Sequence, residues 1–244
     1  MNPVAFTIFG IDIMWYGVLI SGAVVIGVLI ALREAKRTAF KEDNLLDFLL
    51  YAIPLAIVGA RLYYVIFSWD YYSQNPSQII NIRSGGLAIH GAVIAGIITG
   101  IVFCKKRKIN ALELFDLVMP SLILGQAIGR WGNYVNQEAY GGPTDLPWGI
   151  IIDGQKVHPT FLYESITNLC IFIFLMCFRK HKKITDGQVL GLYLILYSTG
   201  RFFIEGLRTD SLMFMGLRVA QLISLASIIA GAALLIYLKK NKKL

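Results

Sequence analysis

Charge is scarce in this 244-residue chain: Asp, Glu, Lys and Arg supply 16% of it, where a soluble domain carries roughly a quarter. Apolar residues supply 56%, above the roughly 45–50% that a soluble fold of this length needs, and the mean hydropathy is +0.63. Apolar surface in such excess is solvated by lipid. Cysteine is scarce too. Cys104, Cys170 and Cys177 are odd in number, lie within or at the end of apolar runs and match no metal spacing, which excludes a disulfide framework or a zinc site and leaves small apolar packing residues. Met1 to Gly10 holds no Lys or Arg, and no small-x-small cleavage site follows the first apolar run. A secretory signal peptide is therefore not expected, and the first run reads as a retained helix. No internal repeat, low-complexity stretch or second domain is visible. Residues 1–244 read as a single transmembrane domain, with 131–158 as an inserted outer loop.

What is present is a series of apolar runs. A spanning helix needs roughly 20 mostly apolar residues. The runs predict seven, near 12–32, 44–68, 86–104, 111–130, 159–178, 187–206 and 217–238, and hence an all-α integral membrane protein. Sixteen of the 23 basic residues fall into four clusters: Arg33, Lys36, Arg37 and Lys41; Lys105 to Lys108; Arg179, Lys180, Lys182 and Lys183; Lys239, Lys240, Lys242 and Lys243. They follow the first, third, fifth and seventh helices. The opposite loops, 69–85, 131–158 and 207–216, hold only Arg83, Lys156 and Arg208. The positive-inside rule then predicts the N-terminus outside and the C-terminus in the cytoplasm. The net charge of +8 marks these loops and not a nucleic-acid surface, because each short cluster abuts a membrane helix.

An ionisable group inside the bilayer costs roughly 2.5–3.5 kcal/mol at the centre of a helix, so each one is a functional hypothesis. On the predicted topology Tyr16, Arg61, His90, Arg130, Glu164, Tyr197, Arg201 and Glu205 all fall in the outer third of the membrane, delivered by six helices. Asp43, Asp47, Glu113, Asp116 and Asp186 have a plainer reading: they sit in early helical turns, where they complement the dipole and cap free N–H groups. Pro54 and Pro120 read as kinks and Pro159 as a helix start. Arg61 reads equally as a structural tie between helices.

Two patterns are denser. Tyr197, Arg201 and Glu205 repeat at i, i+4, i+8 and share one helix face, which Arg208 continues. A self-neutralising Arg201–Glu205 pair would run in the less favourable order and leave Tyr197 and Arg208 unexplained. The segment Gly125–Gly142, GQAIGRWGNYVNQEAYGG, puts Arg130, Asn133, Asn136 and Glu138 within nine residues, among the glycines 129, 132, 141 and 142. Arginine grips phosphate through two N–H groups, and Asn bonds phosphate or glycerol oxygens. His90, in GGLAIHGAVIAG, titrates near neutral pH and suits proton transfer, though a lone membrane histidine also serves as a hydrogen bond between helices.

These residues resemble a known family. GRWGNYVNQEAYG, at 129–141, is similar to the G-R-x-G-N-F-x-N-x-E-x-x-G signature of prolipoprotein diacylglyceryl transferases, with Tyr134 where Phe is usual. IHGA at 89–92 resembles the family's His-Gly-Gly segment, with Ala92 in place of the second glycine. HPTFLYE at 158–164 resembles its His-Pro-x-x-x-Tyr-Glu element. Tyr197, Arg201 and Glu205 match its Y-x-x-x-R-x-x-x-E pattern, and Trp15-Tyr16-Gly17 matches its opening helix. The resemblance implies an enzyme of the bacterial plasma membrane whose active site faces the outer leaflet. It would move the diacylglyceryl group of phosphatidylglycerol to the lipobox cysteine of a prolipoprotein signal peptide and release glycerol 1-phosphate, without metal or organic cofactor. His90, Arg130, Arg201, Glu205 and Tyr197 are then the catalytic candidates. His90 leads as proton acceptor, with Glu205 or Tyr197 as rivals. Tyr16, Arg61, Asn133, Asn136, Glu138, Gly141, Glu164 and Arg208 are the candidates for substrate binding, although Glu138 could instead pair with Arg130 structurally.

Other classes fit less well. A transporter would carry polar residues through to the cytoplasmic side, or inverted repeats with broken helices. A retinal protein needs a lysine in its last helix, and residues 219–238 have none. A metal-dependent lipid-phosphate transferase wants clustered aspartates, where this chain places arginines.

Overall fold

Backbone groups in lipid have no water to bond, so long uncharged runs must close their hydrogen bonds within helices. The computed structural model describes residues 2–82, 85–180 and 184–241. Arg83, Lys182, Lys183, Lys242 and Lys243, which belong to the charge pattern above, lie outside the described residues. The helices are α1 (Trp15–Thr38), α2 (Glu42–Phe67), α3 (Trp69–Gln74), α4 (Ile89–Arg107), α5 (Ala111–Val135), α6 (Thr160–Lys180), α7 (Gln188–Glu205) and α8 (Val219–Asn241). Six of them, α1, α2, α4, α5, α6 and α8, are long and apolar enough to cross a membrane. The chain is thus a mostly helical, multi-pass membrane protein. The seventh expected span corresponds to α7, which carries Gln188, Arg201 and Glu205 among its 18 residues and is not one of these six.

Boundaries shift for identifiable reasons. Helix α1 runs on to Thr38 because Leu, Arg, Glu, Ala and Lys are good helix formers beyond the lipid. Helix α4 begins at Ile89 and not at 86, since Gly85 and Gly86 take φ of +86° and +74°. Helix α5 continues to Val135, so the first half of the signature segment is helical and not loop. Three hairpins were not anticipated: β1 (Val4–Ile8) with β2 (Ile11–Met14), β3 (Ile150–Ile152) with β4 (Gln155–Val157), and β5 (Met213–Phe214) with β6 (Leu217–Arg218). The first displaces the expected helix start from 12 to 15, and the third displaces that of the last helix from 217 to 219.

The chain divides into two compact units, residues 1–31 with 116–244, and residues 32–115. In the second, α2 and α4 pack closely at Gly59 and Gly91. A Cβ on Gly59 would stand 2.7 Å from the Gly91 carbonyl oxygen and 2.5 Å from the Ala95 Cβ. Phe48 meets Phe103 with ring centroids 5.8 Å apart, and Arg107 donates to Asp47 at 2.5 Å. In the first, α7 lies between α6 and α8. Gln221 on α8 donates to the Phe202 carbonyl of α7 at 3.1 Å, and Trp131 on α5 donates to Ser165 on α6 at 3.1 Å.

Two expectations are corrected. Asp116 does not serve its own helix: its carboxylate accepts from Gly187 N (2.8 Å) and Leu190 N (2.7 Å), capping α7, which has no side-chain cap from its own N-cap residue. Of the cysteines only Cys104 is packed inside; Cys170 and Cys177 are exposed on α6, and all three are free.

Candidate functional site

In the first unit, four helix ends meet: the C-terminal ends of α5 and α7 and the N-terminal ends of α6 and α8. At their centre is Glu164, in the second turn of α6 and only 3% exposed. Burying a carboxylate demands cations beside it. Arg130 Nη2 lies 2.6 Å from Glu164 Oε2, Arg201 donates to Glu164 Oε1, and Arg208 Nη1 approaches Oε1 at 3.9 Å. The second buried carboxylate, Glu205, pairs with Arg201 Nη2 at 2.5 Å and stands 3.8 Å from Arg208 Nε. Arg201 therefore bridges α7 to α6 and does more than neutralise its own helix. Three guanidinium groups surround two buried carboxylates, and the exposed Asp210 carboxylate also pairs with Arg208.

The i, i+3 spacing on α5 puts Asn133 beside Arg130, whose Nη1 donates to Asn133 Oδ1 at 3.3 Å. Asn133 Nδ2 donates in turn to Glu138 Oε1 at 2.8 Å, and Asn136 Nδ2 reaches the same oxygen at 3.4 Å. Asn133 thus stands between Arg130 and Glu138, which the sequence had offered as a direct pair. The chain reverses after α5 through Gln137 and Ala139, both at positive φ. Tyr16 on α1 lays its ring against Gly132, where a Cβ would come within 2.8 Å of Cε2.

Gly141 stitches three segments together. Its N–H donates to the His158 carbonyl and the N–H of Gly142 to the Leu207 carbonyl, both at 3.0 Å. A Cβ at 141 would meet His158 Cβ at 2.7 Å and the Leu207 carbonyl oxygen at 2.9 Å. This seam seats Arg208 beside the cluster. Burial works against the charge on Arg208. The hydrogen bonds and charge of Asp210, then the charges of Glu205 and Glu164, outweigh burial and raise its affinity for a proton above the ordinary value.

Tyr197 lies one turn before Arg201 and stacks flat on Tyr193, centroids 5.6 Å apart. Tyr193 in turn is 3.2 Å from Gln126 Nε2. Two participants went unnoticed in the sequence. Arg218 donates to the Glu205 carbonyl, and Asp210 holds Arg208 through Oδ1 at 3.0 Å and Oδ2 at 2.8 Å. Arg218 could have been found, because it stands outside the four basic clusters, beside a helix end that the charge rule leaves without basic residues.

His90 and Arg61 belong to the second unit. His90 is exposed in the first turn of α4, its ring 5.8 Å from that of Tyr63. Arg61 is buried, with its five N–H groups on five carbonyls: Nε on Ile79 (2.8 Å), Nη1 on Gly85 (2.9 Å) and Gly86 (2.8 Å), Nη2 on Gln78 (2.6 Å) and Asn81 (2.9 Å). It organises the segment leading to α4, and all five of its N–H groups are used there. Among the described residues no group of three or more His, Cys, Asp or Glu could hold a metal ion.

The family model for prolipoprotein diacylglyceryl transferase matches residues 3–237. This chain belongs to that family. It is 57% identical to the phosphatidylglycerol–prolipoprotein diacylglyceryl transferase of Clostridioides difficile (strain 630), over 100% of this chain and 98% of that one. It is 58% identical to the protein of the same name from Finegoldia magna, over 99% and 97%. It is 51% identical to that of Clostridium novyi (strain NT), over 100% and 97%. As a family member the chain carries its Arg130 and Asn133 on a helix and not on a loop, and its signature segment is tied to α6 and to the chain beyond α7 by the Gly141 seam.

Proposed function

We propose that the chain transfers the diacylglyceryl group of phosphatidylglycerol to the lipobox cysteine thiol of prolipoproteins, the first step of lipoprotein maturation, in the bacterial plasma membrane. The observation that carries this reading is the convergence of Arg130, Arg201 and Arg208 around Glu164 and Glu205, which gathers guanidinium donors suited to a phosphodiester at one place. The relatives' names carry the same activity.

The cysteine thiolate of the preprotein attacks the glyceryl carbon that bears the phosphate. A carbon–sulfur bond forms as the carbon–oxygen bond breaks, and the electron pair leaves on glycerol 1-phosphate. Negative charge on the phosphate grows as the bond breaks, and preorganised guanidinium groups stabilise that growth more than they stabilise the lipid before reaction. Arg130 and Arg201 fill this role. Asn133 and Glu138, coupled to Arg130, orient the glycerol head group, with Asn136 beside them. Tyr16 lines the approach along α5. The thiol proton requires an acceptor; His90 is the first candidate because an imidazole can act as a general base, with Glu205 and Tyr197 as the alternatives.

The proposal includes seven spans with the N-terminus outside. The described basic residues close α1 (Lys36, Arg37), α4 (Lys105 to Arg107), α6 (Arg179, Lys180) and α8 (Lys239, Lys240), whereas the last turns of α2 and α5 have none. Basic ends on both α6 and α8 can share the cytoplasmic side only if the chain crosses between them. Helix α7 is the one available, and its 18 residues span about 27 Å, close to the hydrocarbon thickness.

The test is transfer by purified protein in vesicles containing phosphatidylglycerol and a lipobox peptide. Glycerol phosphate release and a peptide mass gain of one diacylglyceryl are expected, with Arg130→Ala at least ~100-fold slower, the loss typical of one oxyanion donor. Full activity in Arg130→Ala would remove this residue from the mechanism. Absence of transfer by folded, lipid-binding protein would leave the cluster as a binding site only.

A further inference from the structure

Polar side chains continue beyond the arginine cluster on the same three helices. Gln126 precedes Arg130 by four residues on α5, Tyr197 precedes Arg201 by four on α7, and Asn168 follows Glu164 by four on α6. Four residues are close to one helical turn, so each shares a face with its partner in the cluster. Helices α5 and α7 reach the cluster by their C-terminal ends and α6 by its N-terminal end. All three steps therefore lead the same way, about 6 Å into the helix bodies.

This second layer has donors and no charge. Residues 120–129, 165–178 and 187–200 contain no Lys, Arg, His, Asp or Glu. Asn168 is 3% exposed, and its Nδ2 has no hydrogen-bond partner. An asparagine in a membrane helix ordinarily bonds across to a neighbour. A buried amide N–H without an acceptor is unfavourable, and leucine would fill the same place without that penalty. Gln126 Nε2 donates to the Tyr193 hydroxyl at 3.2 Å, and the same hydroxyl lies 3.3 Å from Gln126 Oε1. One buried hydroxyl thus spans the end of the Gln126 amide and fixes its direction. The second N–H of Nε2 is left without an acceptor among the described residues. Tyr193 is 7% exposed and is held in turn by its stack on Tyr197. Gln126 and Tyr197 are half-buried, so a ligand can reach the layer. The terminal torsion of Asn168 is broad, which lets its amide turn to that ligand.

The position of the layer says which acceptor it meets. Uncharged N–H groups in an apolar setting suit carbonyl oxygens and not a second anion. In a glycerophospholipid the two ester carbonyls follow the phosphate by a few bonds, on the side of the acyl chains. With the phosphate between Arg130 and Arg201, the carbonyls fall toward the helix bodies, at a separation comparable to one helical turn.

We propose that Asn168 and Gln126 form a subsite for the acyl ester carbonyls of the donor lipid, with Tyr193 as a positioning residue that aims the Gln126 amide. The inference rests on the transferase reading and adds recognition of the part that is moved. Both esters pass intact into the product, so the layer selects the linkage of the acyl chains while the arginines hold the phosphate.

The experiment compares transfer to a lipobox peptide from diacyl phosphatidylglycerol and from its dialkyl ether analogue, which lacks both carbonyls. The purified full chain is placed in vesicles of dialkyl phosphatidylcholine, a host without esters. The diacyl lipid should react roughly 10-fold faster, the joint weight of two neutral hydrogen bonds. Asn168→Leu and Gln126→Met should each lower that ratio about 3-fold or more, and Tyr193→Phe should lower it in part. The melting midpoint of Asn168→Leu in detergent should hold or rise, because an unpartnered amide is removed. A ratio of one in the unaltered protein overturns the proposal. So does a ratio that survives in both Asn168→Leu and Gln126→Met; if the peptide KM rises in them instead, the layer serves carbonyls of the preprotein backbone. A lower midpoint with both lipids slowed equally reduces the layer to packing and overturns it too. No transfer from either lipid by folded protein is a different failure, that of the transferase reading, and the subsite falls with it.

Discussion

Glu164 is the residue on which three guanidinium groups converge, and it explains why they can sit together at all. Arg130, Arg201 and Arg208 would repel one another in a site with little water; the buried carboxylate, with Glu205, holds them at one another's side. Glu164→Gln keeps the shape and removes the charge. Breaking a buried ion pair costs about 3–5 kcal/mol; because the arginines retain some exposure, a loss of about 2–3 kcal/mol is expected, read as a lower thermal midpoint in detergent. Phosphatidylglycerol binding should weaken less than transfer, since removing a carboxylate makes the cluster more positive while its geometry loosens. An unchanged midpoint would show that Glu164 does not hold the cluster. At this scale the sequence is informative where chemistry is expensive. Arg130, Glu164, Arg201 and Glu205 could be found because ionisable groups among apolar ones demand a reason. Which carboxylate meets which guanidinium could not, because Arg201–Glu164 joins two helices 37 positions apart, and helical spacing reports only contacts within one helix.

At the scale of the element, α7 carries the polar face but is poorly equipped to hold its own position. Gly187 precedes it in a left-handed conformation and offers no side chain to its free N–H groups. Asp116 on α5 supplies both missing acceptors, so the helix with Tyr197, Arg201 and Glu205 is registered against the helix with Arg130 and Asn133. Asp116→Ala should lower stability by about 1–2 kcal/mol, the usual worth of a helix cap. It should also reduce kcat more than it raises KM, because α7 shifts while the binding groups stay present. Asp116→Asn, which keeps one acceptor, should recover part of both. A loss of stability with unchanged kinetics would leave Asp116 as a cap only. The sequence placed Asp116 in an early turn of its own helix, the commonest use of such a residue, and the long-range cap has no periodicity to betray it. The hairpins escaped for a related reason: strands of two to five residues are too short to show alternation against an apolar background, and only Asp153-Gly154 carries a conventional turn pair.

At the scale of the whole molecule, the charge pattern and the hydropathy pattern give different counts. Hydropathy gives six membrane-length helices; the proposed seven crossings follow from applying the positive-inside rule to the basic ends of α6 and α8. Helix α7 falls short on hydropathy because of the residues that the chemistry needs, Arg201 and Glu205 above all, and those groups are neutralised by partners within the protein. A helix whose charges are paired inside the fold does not present them to lipid, so mean hydropathy understates its fitness to cross. The two counts predict different sides for the ends of α7. In sealed vesicles of one orientation, Thr185→Cys and Thr209→Cys, each in a chain whose native cysteines are changed to Ala, should react with a membrane-impermeant maleimide from opposite sides. Asn110→Cys should match Thr185→Cys, and Asp145→Cys should match Thr209→Cys. Labelling of 185 and 209 from one side would leave six crossings and place the basic end of α8 opposite that of α6. The positive-inside rule would then fail for α8 alone.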